Sequence, residues 1–234
     1  MRRDRIEILD ALRGLSVILM VIHHLLYDLM DFLGLPEWLY VNPVFTVLQL
    51  VFASVFIMLA GISSRFSQNN VKRGLKLAVV ALVISAVTIL LDMPIYFGII
   101  HFMSVAVLFY SLTCRLWRKI PTVPAVILFF VLFAASKILV ENVYFETNWV
   151  YVLGLGGTLS GYDYYTILPW IFMFLLGAAL GSPIKEGKFP AWFYKFKSRP
   201  LSFVGRHSLL IYLVHQPLFF GVINLYLMIS GKGV

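Results

Sequence analysis

The sequence predicts an all-α integral membrane protein, a bundle of about seven transmembrane helices with its N-terminus in the cytoplasm, and three observations carry that prediction. Of 234 residues, 61% are hydrophobic and 13% charged, with a mean hydropathy of +0.90, more apolar surface than a soluble domain of this size can hide from water. Apolar runs near the ~20 residues needed to cross the hydrocarbon recur within 8–32, 43–66, 74–92, 99–117, 122–140, 164–182 and 208–229. Lys and Arg cluster in alternate connections, as cytoplasmic loops require. Strand-like alternation is absent, which argues against a barrel.

The runs differ in what flanks and interrupts them. Arg2, Arg3 and Arg5 precede the first, which is too long and too polar for a cleaved signal peptide and is expected to stay as a helix. Arg65, Lys72, Arg73 and Lys76 join the second and third; Arg115, Arg118 and Lys119 follow the fourth. His101 opens that fourth run, and Cys114, the single cysteine, closes it; one cysteine permits no internal disulfide and no cysteine-based metal cluster. The connection from about 141 to 163 is aromatic and glycine-rich and carries acidic Glu141 and Glu146. Asp163 and Trp170 flank the start of the sixth run. Residues 184–206 mix Lys with Phe, Trp and Tyr between prolines, a composition suited to the cytoplasmic headgroup layer. His215 and Gln216 interrupt the last run. Seven spans put all the basic clusters on one side and the C-terminus outside. The net charge of +8 then reflects topology and anionic lipid rather than nucleic acid. With no repeat of fixed period, residues 1–234 read as a single domain.

The first run poses the functional question, because "LRGLSVILMVIHHLLYDL" at 12–29 carries Arg13, His23, His24 and Asp28, and a charge at bilayer depth costs at least ~2.5–3.5 kcal/mol. On a helix, Arg13 and His24 differ by only ~20° in azimuth over about three turns, and Asp10, Asp28 and Asp31 fall within ~60° of them. The ionisable groups form one stripe that can face the bundle interior. Asp10 one turn before Arg13 suits a structural ion pair near the interface. Asp28 four residues after His24 is spaced to hold an imidazole as an oriented general base, although interhelical glue gives the same pattern. His101, Asp163, Trp170, His215 and Gln216 are candidates to line the same cavity and bind substrate. No pair of histidines shows the spacing of a helical zinc motif, so no metal is expected.

Four blocks, "DALRGLSVILMVIHH" at 10–24, "FGIIHFMSV" at 97–105, "DYYTILPWIFMFLLGAALG" at 163–181 and "GRHSLLIYLVHQPL" at 205–218, resemble the small bacterial members of the heparan-α-glucosaminide N-acetyltransferase catalytic-domain family. The likeness spans nearly the whole chain with the blocks in order. The first block also resembles the start of transmembrane acyltransferases that O-acetylate envelope glycans, in which ten residues separate an Arg from a His; that spacing picks Arg13 and His24. The resemblance implies transfer of an acyl group, acetyl above all, from cytoplasmic acyl-CoA to an amine or hydroxyl of a sugar, glycolipid or envelope component at the cell membrane. It makes His24 the catalytic histidine and Arg13 its motif partner, with Asp28 as the orienting carboxylate read from the spacing. Set beside the human-type enzyme, the sequence reads as much shorter and without a luminal domain, so heparan sulfate is not expected as the acceptor.

Acyl transfer needs a base for the attacking group and a polarising group for the oxyanion. No Gly-rich phosphate loop is present, so side chains such as Arg73, Lys76 or Arg118 are the candidates to grip the phosphates of CoA. Two other classes fit a polar stripe: a small transporter or proton-coupled permease, which visible internal repeats would favour, and a non-catalytic membrane scaffold. Homo-oligomerisation is left open by the sequence.

Overall fold

The computed structural model describes residues 5–159 and 163–231; Arg2 and Arg3 of the first basic cluster lie outside the described residues. Among the described residues there are no β-strands, and nine α-helices follow in order: α1 Glu7–Leu33, α2 Pro43–Phe66, α3 Asn70–Leu90, α4 Ile99–Trp117, α5 Thr122–Asn142, α6 Trp170–Lys185, α7 Ala191–Lys195, α8 Arg199–Arg206 and α9 Ser208–Ile229. Six of them, α1 to α5 and α9, are long and apolar enough to cross a membrane.

Local chemistry sets the boundaries. Gly34 ends α1 in the left-handed region, φ 65°, where its N–H reaches back to Met30 O at 3.1 Å. The Asn42 side chain accepts from Phe45 N at 3.0 Å ahead of α2, and Asn69 caps α3 by accepting from Lys72 N at 2.8 Å. The third helix therefore starts four residues before the apolar run that predicts it.

The sixth span departs most from expectation. The run at 164–182 becomes a helix only from Trp170, because Pro169 occupies the N-cap and Asp163 sits at φ 49°. At 16 residues, α6 is about 24 Å long, short of the ~30 Å hydrocarbon thickness. The residues before it form an irregular stretch in which Tyr164 stacks on Tyr151 and donates to its carbonyl at 2.5 Å.

The chain divides into two compact units, residues 1–56 with 189–234 and residues 57–188. In the first, α1 packs along α8 and against α9. The α1–α8 crossing depends on two glycines: a Cβ on Gly14 would lie 2.1 Å from Leu201 O, and one on Gly205 would lie 1.8 Å from Asp10 O. Only bare backbone permits that approach. Ser202 of α8, buried, donates to Glu7 O at 3.3 Å across the same crossing. In the second unit α3 packs on α4, and α6 packs on α4 and α5, around fully buried Phe102, Tyr110, Phe129 and Phe174. The C-terminal part of α2 meets α6 through Gly61 and Gly177, where added Cβ atoms would lie 2.0 Å from Phe174 O and Met58 O. Such small-residue contacts are how helices associate where lipid removes the hydrophobic drive. Leu75, Val79, Leu82 and Val83 of α3 stand exposed, as on a helix facing lipid.

Candidate active site

The stripe on α1 resolves into two stations. At the N-terminal station the buried carboxylate of Asp10 accepts from Arg5 Nε at 2.5 Å and from Arg13 Nη1 at 3.1 Å. Arg13 is thus ion-paired one turn from Asp10, as the spacing suggests, and Arg5 is a further partner that the sequence pattern did not single out. Two guanidiniums share one carboxylate at this station.

Eleven residues on, about 16 Å along the helix axis, is the second station. His24 Nδ1 lies 2.8 Å from His215 Nε2 of α9. The two rings are 11° from parallel with centroids 5.1 Å apart; at an N···N distance of 2.8 Å they therefore meet edge to edge, nearly coplanar, in the alignment a hydrogen bond prefers. His215 is buried, and its Nδ1 lies 2.7 Å from Tyr212 O and 3.2 Å from Ile211 O. His24 is half-buried, and its Nε2 has no hydrogen-bond partner among the described residues.

Asp28 does not hold His24. The bond that i,i+4 spacing suggests is replaced by two contacts to α9: the His24 ring extends across the helix crossing to His215, and Asp28 accepts from Gln216 Nε2 at 3.4 Å. The second contact is at the long limit of a hydrogen bond. Gln216 Oε1 is buried with no partner among the described residues. Asp28, one turn after His24 on α1, and Gln216, next to His215 on α9, therefore present two underused acceptors at this station. His23 is a packing residue, buried with its ring 4.7 Å from that of Tyr40 and 5.8 Å from that of Phe52. Among the described residues no group of three His, Cys, Asp or Glu forms a metal-ligating cluster.

The remaining candidates belong to the second unit. His101 uses both ring nitrogens: Nδ1 accepts from Gly98 N at 3.2 Å, and Nε2 lies 2.9 Å from Ser85 Oγ, which donates to Ile95 O at 2.6 Å. Asp163 Oδ2 accepts from Ile99 N at 3.2 Å. These two residues meet at the N-terminus of α4 and accept from N–H groups that the helix leaves unpaired. Trp170 opens α6 between the rings of Phe133 and Tyr165, 5.7 and 5.5 Å away. Arg73 donates to the buried Ser64 hydroxyl at 3.1 Å, whereas Lys76 and Arg118 are exposed.

Fold and site together define a multi-pass α-helical membrane protein whose first and last helices join two histidines within their apolar length. The chain belongs to the family described as heparan-alpha-glucosaminide N-acetyltransferase, catalytic, which matches residues 5–217. Membership makes it a membrane acetyltransferase by family. No curated protein and no solved structure matches the chain.

Proposed function

We propose that the protein transfers an acetyl group from cytoplasmic acetyl-CoA to an amine or hydroxyl of a sugar, glycolipid or envelope component, with His24 as the general base, in the plasma membrane. The observation that carries the reading is the His24 imidazole, anchored at Nδ1 and open at Nε2, in a chain of this family. The open nitrogen takes the proton from the attacking N–H or O–H as the new bond to the acyl carbon forms. The C–S bond of the thioester breaks, and the departing thiolate recovers the proton from His24, leaving free CoA and the acylated acceptor. Atoms and charge balance without a further reactant. We take the transfer to be direct, because an acyl-imidazole open to water hydrolyses readily.

The two stations on α1 divide the labour. The guanidiniums of Arg5 and Arg13 suit the phosphates of CoA, and the ~16 Å from Arg13 to His24 is a length that an extended pantetheine arm spans. Arg13 then acts on donor binding rather than on the proton. Arg73, held by Ser64, and the exposed Lys76 and Arg118 supply diffuse attraction to an anionic donor. Asp28 and the orphaned Gln216 carbonyl invite a donor-rich acceptor, an amine or polyol, since buried acceptors are costly to leave unpaired. We take the N-terminus to be cytoplasmic, the side that basic clusters favour, and the chain to act as a single domain.

Purified protein in detergent, given labelled acetyl-CoA and a panel of amino sugars, glycolipids and cell-wall fragments, should release CoA and label an acceptor. Absence of acetyl-CoA turnover with every acceptor would count against the enzyme and return the stripe to a transport path. In spheroplasts with Cys114→Ser, a cysteine at Thr147 but not at Ser198 should react with a membrane-impermeant thiol reagent; the reverse pattern inverts the topology.

A further inference from the structure

We infer that His215 is a positioning residue that fixes which nitrogen of His24 carries the proton, through a chain that ends in main-chain carbonyls. The inference rests on the reading of His24 as a base and extends it. Carbonyl oxygens only accept, so the contacts of His215 Nδ1 to Tyr212 O at 2.7 Å and Ile211 O at 3.2 Å require a proton on Nδ1. A neutral imidazole has one N–H, which leaves His215 Nε2 bare. The 2.8 Å contact to His24 is then an N–H···N bond in which His24 Nδ1 donates. The same one-proton rule leaves His24 Nε2 bare and facing no partner, the state a general base needs.

The order carbonyl, His215, His24 does for this site what a carboxylate beside a histidine does elsewhere, namely to set tautomer and ring orientation. It is the task that the sequence spacing assigns to Asp28. A second imidazole in place of a carboxylate has a consequence. The resting site carries no fixed negative charge on the base, and the bond strengthens only when His24 takes the proton and its Nδ1–H becomes a cationic donor. The gain therefore falls in the transition state rather than in the resting enzyme. The near-coplanar, edge-to-edge rings are what such a chain demands and what a packing contact between two histidines does not.

The test reads the tautomer directly. Protein labelled with 15N-histidine, with its five histidines assigned by single substitution, distinguishes bare from protonated ring nitrogens by chemical shift. In wild-type protein the bare nitrogen of both His24 and His215 should be Nε2. His215→Ala should release His24 to the Nε2–H form and lower kcat roughly 10²-fold or more with KM for acetyl-CoA unchanged, as expected of a base held in the wrong tautomer. His215→Gln, whose side-chain oxygen can replace Nε2 as acceptor, should restore the Nδ1–H form and most of the turnover. A proton on His24 Nε2 in wild-type protein, or a His24 tautomer indifferent to His215→Ala, overturns the inference, and so does failure of Gln to outperform Ala. The spectra need no acceptor, so the stated tautomer in protein that transfers no acetyl group supports the chain and counts against the proposed reaction.

Discussion

Two stations on one helix, Asp10–Arg13 and His24–Asp28, begin from the same sequence logic, a charged pair one turn apart in an apolar run, and end differently. At the first, the carboxylate is enclosed by its own helix partner and by Arg5, and Gly14 and Gly205 bring α8 against it closely enough that Asp10 O has no room for a neighbouring Cβ. At the second, the expected pair separates, each member reaches across to α9, and one imidazole nitrogen and one amide oxygen are left over. Burial of polar groups is costly unless they are paired. Pairing at the first station fixes where its cations sit, whereas the groups to spare at the second are where the acceptor completes the set.

That contrast predicts substitutions with different signatures. The largest effect is expected at His24: alanine should reduce acetyl transfer by about 10²–10⁴-fold, the share general-base catalysis supplies, with thermal unfolding in detergent little changed. At Asp10 the sign of the experiment reverses. Asp10→Ala removes the buried carboxylate that Arg5 and Arg13 share and should cost about 1–3 kcal/mol of stability, read as a lower unfolding midpoint, with the folded remainder still turning over. Gly205→Ala should cost about 1–3 kcal/mol by overpacking the α1–α8 crossing, and Gly14→Ala should behave alike; if either is silent, the close approach is not what holds α8. The smallest effect belongs to His101. Alanine there removes a helix-capping contact, about 1 kcal/mol, and turnover per folded molecule should be retained; a collapse of kcat would bring His101 into the chemistry.

Most of the helical frame was legible because punctuation coincides with the ends of the apolar runs. Pro43, Gly98 and Ser208 sit where α2, α4 and α9 begin, and those helices match their runs at both ends. The sixth span was misjudged because Ile167 and Leu168 continue the apolar run through a stretch whose backbone is set by Pro169. The Asp10–Arg13 pair was readable as a local contact on one helix. The His24–His215 contact was not, since its members are 191 positions apart and helical spacing speaks only for neighbours on the same helix. The sequence pointed to His215 as a substrate ligand from its position in an apolar run, and missed Arg5 because a basic residue ahead of a first span is explained by topology alone.

Steady-state kinetics with acetyl-CoA for His24→Ala beside Arg13→Gln test the division of labour most directly. The account predicts that His24→Ala lowers kcat and leaves the KM for acetyl-CoA close to wild type, whereas Arg13→Gln raises that KM, reduces its dependence on salt and largely spares kcat in the folded protein. Undiminished turnover by His24→Ala, or loss of kcat in Arg13→Gln as deep as that in His24→Ala, would contradict it.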